Sequence, residues 1–490
     1  MTIERAAATA NFTLNNTGTA ALITGLTLTP GAGDYFLYCT IAHTTSASAP
    51  VQTDTFSVWV NNVEVVHSRR TYVGNTSIDN ATICYVLTCK VSPGAGEAVE
   101  IRHTRSSATE PNIATKRELT LFPIPAAGTD YEDSSSTNDT TSSSTFSTIV
   151  GMARTPVAGD YLVIFSSSAA CPTASADAGF RISIDGTPEA HTLREIFWES
   201  SGTAQELSVM TLAKINVSGS QEVQVEFASL DNSSTITVGD RTMNIIPFAT
   251  GDIFQATGTV NDTDNTTTDK LIDDMTITDP GAADYLTMFS ITHEMPTITA
   301  DQGRVTYSIH ENGNVVTDTD RDSEIEDSLD NAHMLAYTGG KVTVSSGTSD
   351  LEVFWKGNST VARIGRERTF IAIREVSVSI ISGVYSSNGV ATTTGVGVGV
   401  LPGVYSSDGN AVTTGIGQST AEAVYSSDGN AVTTGIGQST AEAVYSSDGN
   451  AVTSGVGVSV IPGVYSSDGN AVTSGVGVSV IPGVYSSDGN

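Results

Sequence analysis

One stretch of this chain occurs three times. Pro30-Gly-Ala-Gly-Asp34-Tyr35-Phe-Leu returns as Pro156-Val-Ala-Gly-Asp160-Tyr161-Leu-Val and as Pro280-Gly-Ala-Ala-Asp284-Tyr285-Leu-Thr. Other landmarks keep step with it. An alternating run ending in a turn follows each time, at Phe56 to Asn62, Phe180 to Gly186 and Val305 to Gly313. An arginine comes next at matching depth (Arg70, Arg194, Arg321), then a turn feeding a further alternating run after Val91, Val217 and Val344. A last run opens on Arg117, Arg241 or Arg368. Landmarks repeated in register restrict the chain to three tandem copies of one fold. Their expected extents are residues 1–125, 126–249 and 250–375.

Within each copy, short apolar/polar alternations are separated by Gly, Pro, Asn and Asp. That is the pattern of antiparallel strands with one buried and one wet face. Copies this long, with eight to ten such runs, suit a jelly roll better than a seven-stranded immunoglobulin sandwich. The expected class is therefore all-β, three tandem jelly-roll sandwiches. One short helix is an option over residues 322–335. The Ser/Thr/Asp-rich segments 129–147 and 257–268 are expected to be linkers or arms entering the next copy.

From residue 376 the pattern changes. Tyr385, Tyr405, Tyr425, Tyr445, Tyr465 and Tyr485 recur every 20 residues, each followed by Ser-Ser-Asp-Gly or, once, Ser-Ser-Asn-Gly. Tyr405, Asp408 and Gly409 mark one unit. Asp-Gly between β-prone runs is a hairpin signal, a type I′ turn. A unit so short buries no core alone and must stack on its neighbours, as a β-solenoid or β-spiral does. The last unit stops after Asn490, a third of the way through, so the repeat tail over 376–490 reads as incomplete.

Charge and motifs narrow the function. The chain has 53 acidic and 22 basic residues, a net charge of −31. Such a chain has no basic surface for nucleic acid or for an anionic membrane. There is no secretory leader pattern. Cys39, Cys84, Cys89 and Cys171 make neither a disulfide framework nor a CxxC pair, and read as small buried hydrophobes. No phosphate loop, dinucleotide fingerprint or HExxH occurs. His67 and His191 each stand three residues before the repeated arginine, but copy three has Asp318 there, so a strand position is favoured over a catalytic one. No cofactor and no enzymatic activity are expected. Two acidic loops are the weak candidates for a hard cation such as calcium: Asp262 and Asp264 with Asp269, Asp273 and Asp274, and Asp318, Asp320 and Asp322 with Glu324 and Glu326.

The order of motifs resembles the jelly-roll head of tumour-necrosis-factor-like and complement-type globular domains. The matching stretches are Gly33-Asp34-Tyr35-Phe36, Val58 to Asn62, Gly96 to Ile101 and Leu119-Thr-Leu-Phe-Pro123, with looser counterparts at Ile245-Ile-Pro247 and Phe370 to Ile373. The resemblance implies trimers packed about aromatic-rich inner faces, and binding rather than catalysis. Three copies on one chain admit either a homotrimer of three stacked tiers or one intramolecular pseudo-trimer. The tail resembles the repetitive shafts of bacteriophage fibres and virion decoration proteins. The expectation is thus a virion structural protein at the virion surface, a capsid-decorating, head or tail fibre. Its expected partners are itself, other virion proteins and host cell-surface glycans or proteins. The alternative is an extracellular microbial adhesin or filament subunit.

Overall fold

The computed structural model describes residues 2–14, 18–44, 52–74, 82–106, 112–124, 129–171, 176–198, 205–248, 251–295, 303–325, 332–345 and 348–375, and the backbone of short stretches from 379 to 486. The chain divides into two compact units, Thr2–Glu375 and the tail from Val376. No α-helix occurs among the described residues.

Copy one shows how the sequence builds a sandwich. Its strands are β1 (Glu4–Ala8), β2 (Phe12–Leu14), β3 (Ala21–Leu28), β4 (Tyr35–Thr44), β5 (Gln52–Val60), β6 (Val63–Gly74), β7 (Thr82–Val91), β8 (Val99–Arg105) and β9 (Asn112–Pro123). One sheet runs β1-β9-β4-β7, with β2 also on β9; the other runs β6-β5-β8-β3, all antiparallel. With β1 and β2 counted as one strand, the orders are first-eighth-third-sixth and second-seventh-fourth-fifth. That is a jelly roll. Copies two and three repeat both orders, with Gly159–Cys171 and Ala283–Met295 in the place of β4.

Two expectations need correcting. Residues 321–325 and 332–344 are strands, so no helix spans 322–335, and 326–331 lie outside the described residues. The run His333-Met-Leu-Ala-Tyr has no helical apolar spacing, and it pairs along its length with Ala283–Met295. Of the two readings of the Ser/Thr-rich segment after residue 129, the linker is to be dropped and the arm entering the next copy is what forms. Tyr131–Ser135 and Asp139–Thr141 pair with Ile236–Phe248 as the entering strands of copy two, as Ile253–Gly258 and Asp262–Asp264 do in copy three.

The two sheets of each copy differ in burial, and the sequence says why. In the outer sheet, Val99–Arg105 alternates strictly between buried and half-buried, since only one face meets the core. The inner strand Tyr35–Thr44 is buried at nine successive positions. Its run Tyr-Phe-Leu-Tyr-Cys-Thr-Ile-Ala-His is apolar on both faces, as strands covered on both sides are. One face meets the sandwich partner; the other meets the neighbouring copies. Tyr38 Oη donates to Thr338 O (3.0 Å), Cys84 Sγ to Tyr337 O (3.2 Å), Tyr337 Oη to Ser208 O (3.1 Å), and Ser208 Oγ to Val86 O (3.1 Å). These bonds link copy one to three, three to two and two to one. Leu286, Met288, Tyr337 and Ile371 of copy three accordingly belong to one apolar cluster with the cores of copies one and two.

In the tail, strands pair parallel and in register at an offset of 20 residues, Val390–Tyr405 on Asn410–Tyr425 and that strand on Ala431–Tyr445. Among the described tail strands no antiparallel hairpin pair occurs. A type I′ hairpin joins antiparallel neighbours, whereas here the strands flanking each Asp-Gly run the same way. Tyr405 ends such a strand; Asp408 and Gly409 lie outside the described residues.

Candidate functional site at the seams between copies

Each copy sends one arginine from its outer sheet into the next copy. Arg70 donates to Ser166 O (2.9 Å) and Oγ (2.5 Å), to Thr242 Oγ1 (3.1 Å) and to Asp240 O (3.3 Å). Arg194 makes the same set in copy three: Ser290 Oγ (2.6 Å) and O (2.9 Å), Thr369 Oγ1 (3.0 Å) and Glu367 O (3.2 Å). Arg321 returns to copy one, donating to Thr40 Oγ1 at 2.9 Å. All three side chains are fully buried. Burial pushes Arg70 and Arg194 down to about 10, still charged at neutral pH. A buried guanidinium needs its N–H groups partnered; carbonyls and hydroxyls of the rim take most of them, and Arg70 Nε and Arg321 Nη2 make no hydrogen bond.

The closing seam, copy three to copy one, is built differently. Where the other seams place Thr242 and Thr369, it places Glu118, fully buried. Arg5 holds this carboxylate with two bonds (2.8 and 3.1 Å), Arg321 lies 3.6 Å away, and Lys341 N donates to it at 3.0 Å. Burial raises the Glu118 carboxyl, and Arg321 and Arg5 oppose the rise. Room for the carboxylate comes from Gly340: a Cβ there would lie 2.0 Å from Glu118 Oε1. The equivalent positions carry Cys89 and Ala213.

A second column of polar pairs also differs between seams. His67 of copy one meets Glu132 of copy two at 2.7 Å, whereas Asp318 of copy three meets Arg5 of copy one at 3.4 Å. The position of His67, His191 and Asp318 serves the ring through its backbone, because each carbonyl accepts from the Nη1 of the arginine three residues on (3.1, 2.9 and 2.7 Å). That explains why the residue type changes while the position recurs.

The repeat markers hold each copy together. Tyr35, Tyr161 and Tyr285 donate back to the carbonyls of Gly31 (3.2 Å), Val157 (3.0 Å) and Gly281 (2.9 Å), closing the turn before the inner strand. Asp34 takes bonds from Lys90 and Ser92, which hold its carboxyl below the usual range; Asp160 takes one from Asn216, and Asp284 from Lys341 and Thr343. Arg117, Arg241 and Arg368 clip a bulge in the second strand, at Thr24 O (3.0 and 2.8 Å), Val150 O (2.8 Å) and Asp273 O (3.0 and 2.9 Å). The next residue in each bulge has positive φ: Gly25, Gly151 and Asp274.

The acidic candidates are partnered by cations of the chain. Asp262 pairs with Lys270 (2.8 Å), Asp264 with Arg363, Asp318 with Arg5, Asp320 with Lys116, and Asp322 with Arg304 (3.0 Å) and Lys116 (3.4 Å). Asp262 and Asp264 lie in copy three's entering strand and not in an acidic loop. Among the described residues no group of three or more His, Cys, Asp or Glu is placed to hold a metal ion. The four cysteines are buried and unlinked.

The closing seam also opens a polar cleft of about 630 Å³. Copy one lines it with Thr44, Thr82, Thr115 and Lys116, and with Thr9 and Asn11 of its entering segment; copy three contributes Arg304, Asp322, Glu324 and Asn358. Thr44 and Thr82 are bonded to each other (3.0 Å), and Thr82 also bonds Glu324.

No family model matches the sequence. No curated protein matches it either. Among solved structures it is similar to one from "The Triple Jelly Roll Fold and Turret Assembly in an Archaeal Virus", at 11% identity over 76% of this chain and 91% of that one, TM-score 0.18. A structure of Sulfolobus Turreted Icosahedral Virus follows at 12% identity, 75% and 91% coverage and TM-score 0.17. PNGF-II is similar at 7% identity, 68% and 99% coverage and TM-score 0.24. TM-scores this low carry no weight for function or assembly.

Reading the sequence alone located the seam arginines but not their partners. Glu118, Arg5 and the Gly339-Gly340 pair were missed. A Gly-Gly inside a strand is a mark of close approach by another group, and it was there to be read.

Proposed function

We propose that the chain is a virion structural protein whose three jelly rolls close into a single-chain pseudo-trimer, an attachment head followed in the chain by a repetitive β tail. The observation that carries this reading is the ring of seams. In a homotrimer of stacked tiers each copy would meet its own kind, placing Arg5 against His67 instead of against Asp318. The charge columns instead match copy one to copy two and copy three to copy one. In such tiers Arg5 would lose the Asp318 carboxylate and His67 would lose Glu132, so this pattern favours closure within one chain.

The inner sheets facing a shared apolar centre also support the resemblance to tumour-necrosis-factor-like trimers, with the trimer made by triplication. The outer surfaces are then free for other virion proteins or for host-surface ligands, and many heads on one particle sum weak contacts into avidity. This reading is a non-catalytic one.

The tail is read as a solenoid. A straight strand of 16 residues spans about 50 Å, and four residues reach back at most about 14 Å. Val390–Tyr405 and Asn410–Tyr425 lie parallel and in register across such a connection. Each 20-residue unit must therefore fold back on itself as one coil.

The test is immunogold labelling and mass spectrometry of density-banded particles from the source culture. Co-purification with regular label on the particle surface is the expected result. Label confined to the cell envelope would replace this reading with the adhesin.

A further inference from the structure

The three seams have the same backbone, so the cleft at the closing seam can be compared with its two counterparts position by position. The cross-strand pair Thr44 and Thr82 corresponds to Ala170 and Glu206 at the seam of copies one and two, and to Glu294 and His333 at that of copies two and three. Thr115 corresponds to Gly239 and Arg366.

The seam between copies two and three places large charged side chains in this space, and that between copies one and two brings its strands together there. Between copies two and three, Arg366 bonds Glu294 (2.6 Å) and Glu195 (3.1 Å), with His333 beside them at 3.4 Å from Glu195. Between copies one and two, Glu206 pairs with Val73 and joins two sheets into one. At the closing seam three short hydroxyl side chains stand instead, and the space stays open.

The chemistry of the opening selects a ligand class. Its two cations are answered by the chain's own carboxylates, Lys116 by Asp320 and Arg304 by Asp322, so no net positive charge faces the ligand. A phosphate or carboxylate would find neither spare cation nor a favourable field on a chain of net charge −31. An apolar ligand would strand the Asn11 and Asn358 amides, although the threonine hydroxyls keep their partners in the chain. Hydroxyls and amides both donate and accept, which matches a ligand made of hydroxyl groups. The volume falls in the usual range for small-molecule sites, ~300–1,000 Å³.

We infer that the closing-seam cleft is a binding site for a neutral sugar residue, free or within a surface glycan. The inference rests on the attachment reading for its purpose, but not for its geometry. No aromatic platform lines the cleft among the described residues, so a single site binds weakly, near millimolar, and depends on multivalency for strength.

The test is saturation-transfer NMR on the full chain with neutral methyl glycosides (hexosides, 6-deoxyhexosides and N-acetylhexosaminides), and with the corresponding neutral polysaccharides at equal sugar concentration. Transfer to at least one glycoside is expected. It should fall at least tenfold in the triple variant T44E/T82H/T115R, which installs the filling of the seam between copies two and three on the same backbone. Should that variant not fold, Thr9→Trp at the exposed mouth serves in its place. Stronger apparent binding of the polymer points to a surface glycan, and equal binding to the free sugar. No transfer from any probe, or transfer unchanged in the filled variant, overturns the inference. Because particle labelling is measured separately, its success alongside failed sugar binding would sink this inference alone.

Discussion

At the scale of single residues, the molecule turns on Arg70, Arg194 and Arg321 and on the one place where their surroundings differ. Breaking a buried ion pair from one side leaves a charge without compensation and costs roughly 3–5 kcal/mol, while a neutral replacement of the pair costs far less. Glu118 and Arg321 should therefore respond unequally. Arg321→Met takes one of two guanidinium groups from the buried carboxylate and should cost ~3 kcal/mol or more. Glu118→Thr gives Arg321 the surroundings that Arg70 and Arg194 already have, and releases Arg5, which is a quarter exposed. It should cost under about 2 kcal/mol. Urea unfolding of the two variants checks this, and equal losses would show that the Glu118 contact does not distinguish the closing seam.

At the scale of strands, the closing seam depends on one glycine. Gly340 has φ +146° and no room for a Cβ beside Glu118. Gly340→Ala should destabilise by ~2–4 kcal/mol. Part of that cost is collision with the carboxylate and part is backbone strain. In the G340A/E118T double variant the first part disappears, so the two effects should be non-additive by about 1 kcal/mol or more. Additive losses would mean that strain alone accounts for the glycine.

The strands also show what the sequence could and could not tell. The outer strands announced themselves by alternation, as in Val99-Glu-Ile-Arg-His-Thr-Arg105. The inner strands did not alternate, and that irregularity was the trace of burial on both faces. The repeated Asp-Tyr pairs and Arg117, Arg241 and Arg368 were visible as landmarks because each bonds within its own copy. The seam partners were not, because Arg70 and Ser166, or Arg5 and Asp318, are brought together only by the packing of copies. In the tail, Asp-Gly gave the right strand boundaries and the wrong pairing. A two-residue signal reports the turn and not which strand lies beside it.

At the scale of the whole molecule, buried histidines set an acid limit. Burial pushes His43 and His191 down to about 4 and His293 to about 3. His43 sits among Phe56, Tyr72 and Tyr85, with Asp54 at 3.7 Å; Asp54 raises its pKa, and His103 and Arg105 lower it further. A histidine depressed on folding takes up its proton in the unfolded chain first. The stability it permits is whole above its ordinary pKa near 6.5 and is lost as pH falls from there to about 4. For His43 the loss is on the order of 3 kcal/mol at most. Glu206, raised to about 7 by burial, acts in the opposite sense and costs stability as pH rises from about 4.5 to 7. Thermal unfolding should therefore be most resistant near pH 6 to 7. His43→Phe should flatten the acid limb, and an unchanged limb would place the acid sensitivity elsewhere.

The central claim is that the ring closes within one chain, and a cross-link across the closing seam tests it whatever the tail does. Arg5→Cys and Asp318→Cys, with the four native cysteines replaced by alanine, should join through a short bis-thiol reagent. The account predicts a compacted species of single-chain mass on denaturing gels, independent of protein concentration. Covalent dimers, trimers or ladders that grow with concentration would contradict it, because Arg5 would then be meeting Asp318 of another chain.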